Sequence, residues 1–330
     1  MAGGERRVNA ARASAGARVA ARQQGSGRGR RLLALLAAAL GLAGGIALVN
    51  LVWAPADPAQ SSADLAGGGT PLADPPSRPI TVLLIGSDAD RLGAASNGAA
   101  PAGPANSDAL LLARIRPDGS LRLLNLPSDL AVQLPGGKEL QSLGSLYRQG
   151  GAALTGSAVA ALLGLESGQP ERFVVLPRGA MRELVDGLGG VELNPETALR
   201  SFDKTQNFRV DIQAGLQDFS GRQVEQMVRF KEPSLGEQGR RIRQQTVLEA
   251  LLQQLSRPDQ WPKLPELLTR LTPQVETNLS KGEALSLLSA AIQKPEAIRF
   301  DQLPLSPPTK PNQPLRQLQA SAPLPLWPRE

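Results

Sequence analysis

Two short segments of this chain carry basic side chains at spacings suited to holding an anion. LGEQGRRIRQQT, residues 235–246, contains three arginines followed by a Gln-Gln pair, and VRFK, residues 228–231, adds Arg229 and Lys231. Arginine forks match phosphate oxygens, and several of them are costly to hold close together without an anion. Ion pairing with an acid such as Glu237 is the alternative explanation. The residues by themselves leave both interpretations open.

Two aspartates could complete such a site with a metal ion. Asp88 ends the apolar run ITVLLIGSD, residues 80–88, and Asp108 opens the next predicted strand. If the two strands are neighbours, both carboxylates lie at one edge of the sheet. Two carboxylates together with phosphate oxygens make a typical Mg²⁺ site. The alternative is that Asp88 caps a turn and Asp108 caps a strand end.

The composition excludes many other chemistries. The chain has no cysteine and no histidine, which rules out thiol catalysis, Cys/His zinc sites and every triad that depends on histidine. Carboxylates, basic groups, hydroxyls and a metal with oxygen ligands remain. Phosphoryl transfer by positioning and charge neutralisation needs no more than these.

The basic character belongs to the N-terminus and not to the rest of the chain. Residues 1–31 hold eight arginines and one acid, a charge of +7, whereas the whole chain has a net charge of +6, so residues 32–330 sum to −1. Aromatic residues make up 3% of the chain and provide few platforms for stacking bases. We therefore expect no nucleic-acid partner.

An apolar segment near the N-terminus predicts a membrane anchor. Residues 32–53 contain no charge and one polar residue, Asn50, and this length can cross a hydrocarbon core of about 30 Å. The basic flank before it predicts a cytoplasmic N-terminus and an extracytoplasmic bulk of the chain. A cleaved signal peptide is the alternative, but its apolar region is normally about 7–15 residues. The segments predicted around the anchor are a basic cytoplasmic tail at 1–31, a transmembrane helix at 32–53 and a flexible stalk at 54–78.

Beyond the stalk, strands alternate with helices and predict a layered α/β domain over residues 79–305. Residues 107–129 indicate two strands joined by a Pro-Asp-Gly turn. Residues 201–218 are polar and predict irregular structure, and residues 306–330 form a proline-rich tail that we expect to be unpacked. The remaining predicted strands are 80–88, 172–177 and 297–305. The predicted helices are 139–148, 152–164, 179–190, 220–229, 236–256, 259–271 and 281–292.

The arginine-rich segment lies at the start of a helix whose end is apolar on one face. At about 100° per residue, Arg240 and Gln244 fall on the same face as the later leucines, and Arg243 lies at its flank. Arg241 also falls on that face, but its orientation is the least determined. The face therefore carries charge at one end and buries leucines at the other.

These segments occur in the order found in the LytR-CpsA-Psr family of cell-wall glycopolymer transferases, which residues 80–303 resemble. The resemblance rests on an ordered series of motifs and implies a layered α/β/α domain with a mixed central sheet, preceded by one transmembrane helix. The motifs are LLIGSD (83–88), NSDALLLARIRPDG (106–119), LNLPSD (124–129), LVDGLGGVEL (184–193), AGLQDFSGRQVEQMVRFK (214–231) and EQGRRIRQQ (237–245).

The resemblance implies an activity and a set of partners. It implies transfer of a glycopolymer, with its phosphate, from a polyprenyl pyrophosphate carrier at the membrane lipid to peptidoglycan, assisted by Mg²⁺. The aspartates would be the metal positions and, with Arg240, the candidate catalytic residues: Asp88, Asp108 and Arg240. The candidate substrate-binding residues are Arg91, Arg229, Lys231, Arg243 and Gln244.

Several positions depart from the usual family pattern. Ser128 stands where an arginine usually precedes Asp129 and is expected to contact pyrophosphate. The other departures are Asp90 and Asn106 at places where arginine is common, Lys231 for an arginine, and Glu237 for an aspartate. Each lost charge-assisted contact costs about 1.5–3 kcal/mol. Two further functions therefore stay open: a weakened member that binds lipid-linked pyrophosphate or polymer for assembly or regulation, and a lipid pyrophosphatase.

Overall fold

The structure, a computed structural model, describes residues 73–94, 103–232, 234–307, 313–319, 322 and 326–327. These residues belong to one compact unit, Gly69–Glu330. The predicted cytoplasmic tail, the predicted transmembrane helix at 32–53 and most of the predicted stalk lie outside the described residues. Among the residues described, no helix has the length and apolarity needed to cross a membrane.

Twelve strands and six α-helices make up the described part of the chain. The strands are β1 Ile80–Ser87, β2 Ser107–Ile115, β3 Leu121–Leu126, β4 Ala131–Val132, β5 Gln141–Ser142, β6 Arg172–Pro177, β7 Val191–Leu193, β8 Leu199–Asp203, β9 Phe208–Ile212, β10 Gln217–Phe219, β11 Glu276–Thr277 and β12 Ile298–Asp301. The helices are α1 Leu146–Leu163, α2 Arg178–Gly187, α3 Gly221–Arg229, α4 Gly236–Leu255, α5 Leu264–Leu271 and α6 Lys281–Gln293.

Six strands form a central sheet in the order β11-β6-β1-β2-β3-β12. Strand β1 runs antiparallel to β2 and parallel to β6, and β3 runs antiparallel to β2 and parallel to β12. The predicted mixed central sheet is therefore confirmed. The register of β1 matters for the site because Ser87 pairs with Pro177 of β6, so the residues that follow both strands emerge at one edge.

Helices pack on both faces of this sheet. Successive strand residues point to opposite faces, so Leu83 of β1 packs in one cluster with Val159 of α1, whereas Val82 packs in another with Leu287 of α6. A third cluster, around Phe219, joins α3 and α4 to the short strands β7 to β10. The site edge of the sheet is therefore supported by packed helices.

The helix predicted at 139–148 is wrong in its first half. Residues Gln141–Ser142 pair with β4, a 3-10 turn follows at Leu143–Ser145, and α1 starts at Leu146. The Gly144 amide donates to the Ser128 carbonyl at 2.8 Å. Pairing with the segment after β3 thus competes with the helix, because it satisfies backbone groups that a helix would otherwise bond internally. The predicted helix at 259–271 is similarly shortened to a 3-10 turn followed by α5.

The irregular structure predicted at 201–218 is also wrong. Strands β8 and β9 form a hairpin in this region, and β10 pairs with β7. Val210 and Ile212 alternate with exposed residues and are buried against α3, which is the pattern of a half-buried strand. The polar residues that suggested a loop occupy the exposed face of this hairpin.

The proline-rich tail packs against the domain wherever the structure describes it. Trp327 is 3% exposed and lies in the core cluster on the α1 face of the sheet, and its indole Nε1 donates to Asp301 at 2.7 Å. The Ala131 amide donates to the Arg316 carbonyl at 2.7 Å. The expectation of an unpacked tail is therefore wrong for these residues, because an extended proline-rich segment can still pair its backbone and bury an aromatic ring.

Candidate functional site

Asp88 lies immediately after β1 and is held by the start of β2. Its amide donates to the Asn106 carbonyl at 3.1 Å, and the Asn106 amide donates to its Oδ1 at 3.0 Å. The register between β1 and β2 shifts at Gly86 and Ser87, as in a β-bulge, which commonly re-aims a side chain at a strand end. Asp88 is buried, so its carboxylate has one fixed orientation.

Asp108 lies close enough to Asp88 for the two carboxylates to repel each other. Burial, and then the charge of Asp108, raise the pKa of Asp88 above its usual value. The Asp108 side chain is 47% exposed and is accessible to a ligand. The antiparallel pairing of β1 with β2 places both residues at one sheet edge, as the strand order required.

Arg240 connects helix α4 to this edge. Its Nη1 lies 3.9 Å from Asp108 Oδ1, its Nε lies 2.8 Å from Glu237 Oε2, and its Nη2 donates to Ser128 Oγ at 3.3 Å. The side chain is 16% exposed. The inward orientation predicted from the helical wheel therefore agrees with its placement beside Asp108.

Arg229 approaches the same edge from the end of α3. The helix starts with a capping box between Ser220 and Gln223. Arg229 donates to Glu225 at 3.0 Å and also to Gln206, and its guanidinium lies 3.6 Å from the centroid of the Phe208 ring. Burial and the charge of Arg178 lower the pKa of Arg229, while Glu225 and Asp108 oppose this shift. The charge of Asp108 thus acts on both Asp88 and Arg229, and its carboxylate lies 3.9 Å from Arg240 Nη1.

The other predicted substrate-binding residues either bond to residues outside the group around Asp108 or are partly or fully exposed. Lys231 is exposed and pairs with Glu237 at 2.8 Å. Arg243 donates to the Phe230 carbonyl at 3.1 Å, stacks on its ring and pairs with Glu232 at 3.7 Å. Its guanidinium therefore contacts Phe230 and Glu232, in the segment that follows α3. The remaining two are Arg91, exposed in the loop after Asp88, and Gln244, half-buried one turn after Arg240.

Two arginines at the site were missed by reasoning from the sequence. Arg148 donates from Nε to Asn106 Oδ1 at 2.9 Å, and the charges of Arg148 and Arg178 both act to lower the pKa of Asp88. The position of Arg178 in the sequence could have indicated its role. It directly follows β6, which runs parallel to β1, so the two strands end at the same edge of the sheet. No such indication exists for Arg148, because it reaches the site only through the position of α1.

The two aspartates are suited to a divalent cation whose remaining ligands come from a substrate and from water. Across the described part of the chain, no three Asp or Glu side chains cluster as a metal site, so protein carboxylates alone would not enclose an ion. Mg²⁺ is commonly held by one or two carboxylates, with waters and substrate phosphates as its other ligands. The repulsion between Asp88 and Asp108 would also be relieved by a cation. This donor set therefore suits a metal bound together with a phosphorylated substrate.

A separate polar cavity of about 390 Å³ lies between the last turns of α4 and strand β7. Glu192, Asp218, Arg257 and Lys263 are among the residues that line it. None of the predicted site residues contributes to its walls. The charged groups around Asp108 at the sheet edge therefore lie outside this cavity.

The chain matches a known protein family. Residues 60–320 match the model of the LytR_cpsA_psr family, and the chain belongs to that family.

Two relatives and one solved structure give the range of similarity. Over 205 residues the chain is 27% identical to the polyisoprenyl-teichoic acid–peptidoglycan teichoic acid transferase TagU of Enterococcus faecalis, covering 61% of this chain and 62% of that protein. Over 226 residues it is 30% identical to the probable cell wall biosynthesis protein LcpB of Corynebacterium glutamicum, covering 66% and 51%. The chain thus spans between about half and two thirds of the length of these relatives. The crystal structure of Bacillus subtilis TagV superposes with a TM-score of 0.61 at 19% identity, covering 74% of this chain and 93% of that one, which shows the shared fold.

Proposed function

We propose that this protein is a membrane-anchored phosphotransferase of cell-envelope assembly. It attaches a glycopolymer, carried on a polyprenyl pyrophosphate, to peptidoglycan. Membership of the LytR_cpsA_psr family and the names of the two relatives support this proposal. The observation that carries it is the approach of Arg229 and Arg240, from two different helices, to Asp108 beside Asp88.

The site's own residues account for the main requirement of the reaction, which is the control of negative charge. Arg229 and Arg240 bind the pyrophosphate oxygens and orient the phosphorus toward the acceptor hydroxyl. Fixed guanidinium groups stabilise charge in the transition state because they need no reorganisation when the reaction occurs. The acceptor oxygen bonds to the phosphorus that carries the glycopolymer as the bond from that phosphorus to the polyprenyl phosphate breaks. The polyprenyl phosphate leaves with the bonding electron pair, and the proton of the acceptor hydroxyl passes to solvent.

We propose Mg²⁺ as the cofactor and Asp88 and Asp108 as its protein ligands. The metal, when bound, neutralises charge on the phosphate oxygens. Asp88 is oriented for this role by the Asn106 amide, and Asp108 is exposed to the incoming substrate. Asp88 and Asp108 would therefore hold the ion together at the same sheet edge.

We also propose a location for the site relative to the membrane. The apolar segment 32–53 anchors the chain with its N-terminus in the cytoplasm, so the domain works outside the cell membrane. A lipid carrier is presented at that surface, and the site meets its substrate there. The anchor and the membrane lipid are consistent with a polyprenyl-linked substrate.

A second candidate function is binding of the same lipid-linked pyrophosphate with little turnover. The observation that favours it is the neutral Ser128 beside Arg240, together with the pairing of Lys231 and Arg240 to Glu237. Glu237 thus partly neutralises two basic groups, and Ser128 adds no positive charge beside Arg240. Such a site can still hold an anion while stabilising the transition state weakly.

Transfer assays on the full-length protein in detergent distinguish these functions. The reaction contains Mg²⁺, a short-chain polyprenyl pyrophosphate sugar and a muropeptide acceptor, and products are separated by mass. Labelled muropeptide supports the transferase, binding without product supports the second candidate, and free phosphate without transfer supports a lipid pyrophosphatase. Arg240→Ala is expected to abolish binding and turnover, with Arg257→Ala, beyond the end of α4, as the matched control. Unchanged binding and turnover in Arg240→Ala would show that the site is wrongly assigned.

A further inference from the structure

A buried carboxylate next to the site accepts hydrogen bonds from three arginines. Glu225 of α3 is 6% exposed, and its Oε1 accepts from Arg178 Nη1 and from Arg229 Nη1, each at 3.0 Å. Its Oε2 accepts from Arg182 Nη1 at 2.5 Å. A buried carboxylate is costly unless it is paired and hydrogen-bonded, and here both of its oxygens are satisfied. The arginines lower the pKa of Glu225 although burial acts to raise it.

This cluster is attached to the loop that carries Asp88. The Arg178 amide donates to the Ala89 carbonyl at 3.0 Å, and the Gly179 amide donates to the Asp90 carbonyl at 2.9 Å. Arg182 Nη2 also pairs with Asp90 Oδ1 at 2.5 Å. The start of α2 is therefore fastened by backbone and side chain to the residues directly after Asp88.

The backbones around the cluster approach one another too closely to permit large adjustments. A Cβ atom on Gly179 would lie 2.6 Å from the Asp90 carbonyl oxygen, and one on Gly221 would lie 2.4 Å from the Arg182 carbonyl oxygen. Real Cβ atoms do not approach a backbone oxygen so closely. Helix α2 thus meets the Asp88 loop at fixed spacing, α3 meets α2 in the same way, and Glu225 of α3 bonds to residues of α2.

The balance of charge shows what the cluster contributes to the site. Three guanidinium groups face two carboxylates, Glu225 and Asp90, which leaves one positive charge beside Asp88 and Asp108. The charge of Arg178 acts on Asp88, and Arg229 is influenced by Asp108. A buried ion cluster is weak evidence for stability, because apolar residues of similar volume are often at least as stabilising. The cluster instead holds its three arginines in fixed positions.

We propose that Glu225 is a positioning residue of the phosphate site, which holds Arg178 and Arg229 against the Asp88–Asp108 edge, and that Arg178 is a further residue that contacts the substrate's pyrophosphate. This inference rests on the proposed function. It adds two residues to the proposed site: the buried acid Glu225 of α3 and the basic residue Arg178 of α2.

The direction of the effect on binding separates positioning from simple counter-charge. Glu225→Gln removes one negative charge near an anion site, so electrostatics alone would strengthen the binding of an anion. Loss of the position of Arg178 and Arg229 would weaken it. The two roles therefore predict opposite signs for one measurement.

The experiment measures binding of geranyl pyrophosphate with Mg²⁺, and transfer from the short-chain lipid pyrophosphate sugar, on full-length protein. Glu225→Gln is expected to weaken binding at least tenfold and to lower the maximal transfer rate at least tenfold. Glu225→Asp, which keeps the charge, is expected to recover part of both. Glu283→Gln is the matched control, since Glu283 is a partly buried acid that accepts from Arg172 at 2.9 Å outside the site, and its variant should bind as the wild type does.

Two further results complete the test. If Glu225→Gln does not fold, Glu225→Asp replaces it as the test of positioning, because it keeps the charge and moves the carboxylate, and weaker binding than wild type is expected. Arg178→Gln separately tests the contact of Arg178 with pyrophosphate, with tenfold weakening expected and Arg257→Gln as its control. An active wild type together with a Glu225→Gln variant that binds and transfers equally well, or binds more tightly, overturns the positioning role and leaves the proposed function standing. A wild type that neither binds nor transfers overturns both.

Discussion

The Arg240 guanidinium donates a hydrogen bond to the Ser128 hydroxyl, with 3.3 Å between Nη2 and Oγ. This contact joins the first turns of α4 to the segment after β3, and it sets a neutral partner beside a cation at the phosphate site. Two acids lie beside the same guanidinium: Glu237 at 2.8 Å from Nε and Asp108 at 3.9 Å from Nη1. In the proposed site, anion binding by this wall depends on Arg240, and residue 128 is the position at which a second cation would strengthen it.

Ser128→Arg is predicted to strengthen pyrophosphate binding or to raise the transfer rate. A charge-assisted hydrogen bond contributes about 1.5–3 kcal/mol, or roughly a tenfold to hundredfold change in a binding constant. Titration with geranyl pyrophosphate and Mg²⁺ measures it. Ser201→Arg on the exposed face of β8 adds the same charge elsewhere and should have little effect. Equal gains in both variants would indicate general attraction and not a specific contact.

Asp108→Asn is predicted to change binding in opposite directions with and without metal. With Mg²⁺ present, loss of one ligand should weaken binding and turnover. In EDTA, binding of pyrophosphate should strengthen, because a negative charge 3.9 Å from Arg240 Nη1 is removed. Asp118→Asn, in the exposed turn between β2 and β3, is the control. Mg²⁺ stimulation that is equal in Asp108→Asn and the wild type would contradict the proposed metal site.

Gly144→Ala is predicted to destabilise the protein and to disturb the site. Its new Cβ would lie 2.6 Å from the Ser107 carbonyl oxygen and 3.0 Å from the Ser128 Cβ. Overpacking of this kind typically costs about 1–3 kcal/mol. Chemical denaturation followed by circular dichroism measures the loss. Gly282→Ala in α6, where a Cβ meets nothing within 4 Å, should leave stability unchanged or raise it, and an equal loss in both would dismiss the steric explanation.

Trp327→Ala is predicted to lower the free energy of unfolding strongly. Trp327 is 3% exposed and is packed in the core cluster of α1, and truncation of a buried aromatic side chain usually costs about 3–5 kcal/mol. Leu216→Ala, at a residue that is 66% exposed, is the control and should cost little. A loss in Trp327→Ala as small as in this control would show that the tail does not support the core.

Acid stability is predicted to depend on Asp301. Burial acts to raise the pKa of Asp301, but hydrogen bonds from Arg122 and Trp327 outweigh it and lower the pKa below its usual value. A carboxyl whose folded pKa is depressed stabilises the fold above its unfolded pKa of about 3.9, and this contribution is lost as the pH falls through the folded value. Asp301→Asn should therefore lose less stability than the wild type between about pH 5 and pH 2. Parallel acid profiles of the two proteins would rule out this linkage.

Local patterns in the chain predicted the strand ends at Asp88 and Asp108 and the inward orientation of Arg240, and the family resemblance made these three residues candidates for the site. The apolar run before Asp88, the hairpin after Asp108 and the helical period around Arg240 are short-range signals, because each depends on neighbours within a few residues. The strand order then required the two aspartates to share an edge. Local pattern failed at residues 201–218, where polar side chains on an exposed face concealed a hairpin.

The sequence by itself thus determined the type of fold, the exclusion of thiol and histidine chemistry, and the positions of Asp88, Asp108 and Arg240. Only the tertiary structure decided that Arg178 and Arg148 reach Asp88, that Glu225 gathers three arginines, and that the proline-rich tail inserts Trp327 into the core. The physical reason is distance along the chain. Glu225 lies 47 residues from Arg178 and 43 residues from Arg182, and no local period links residues that meet only when separate helices pack together.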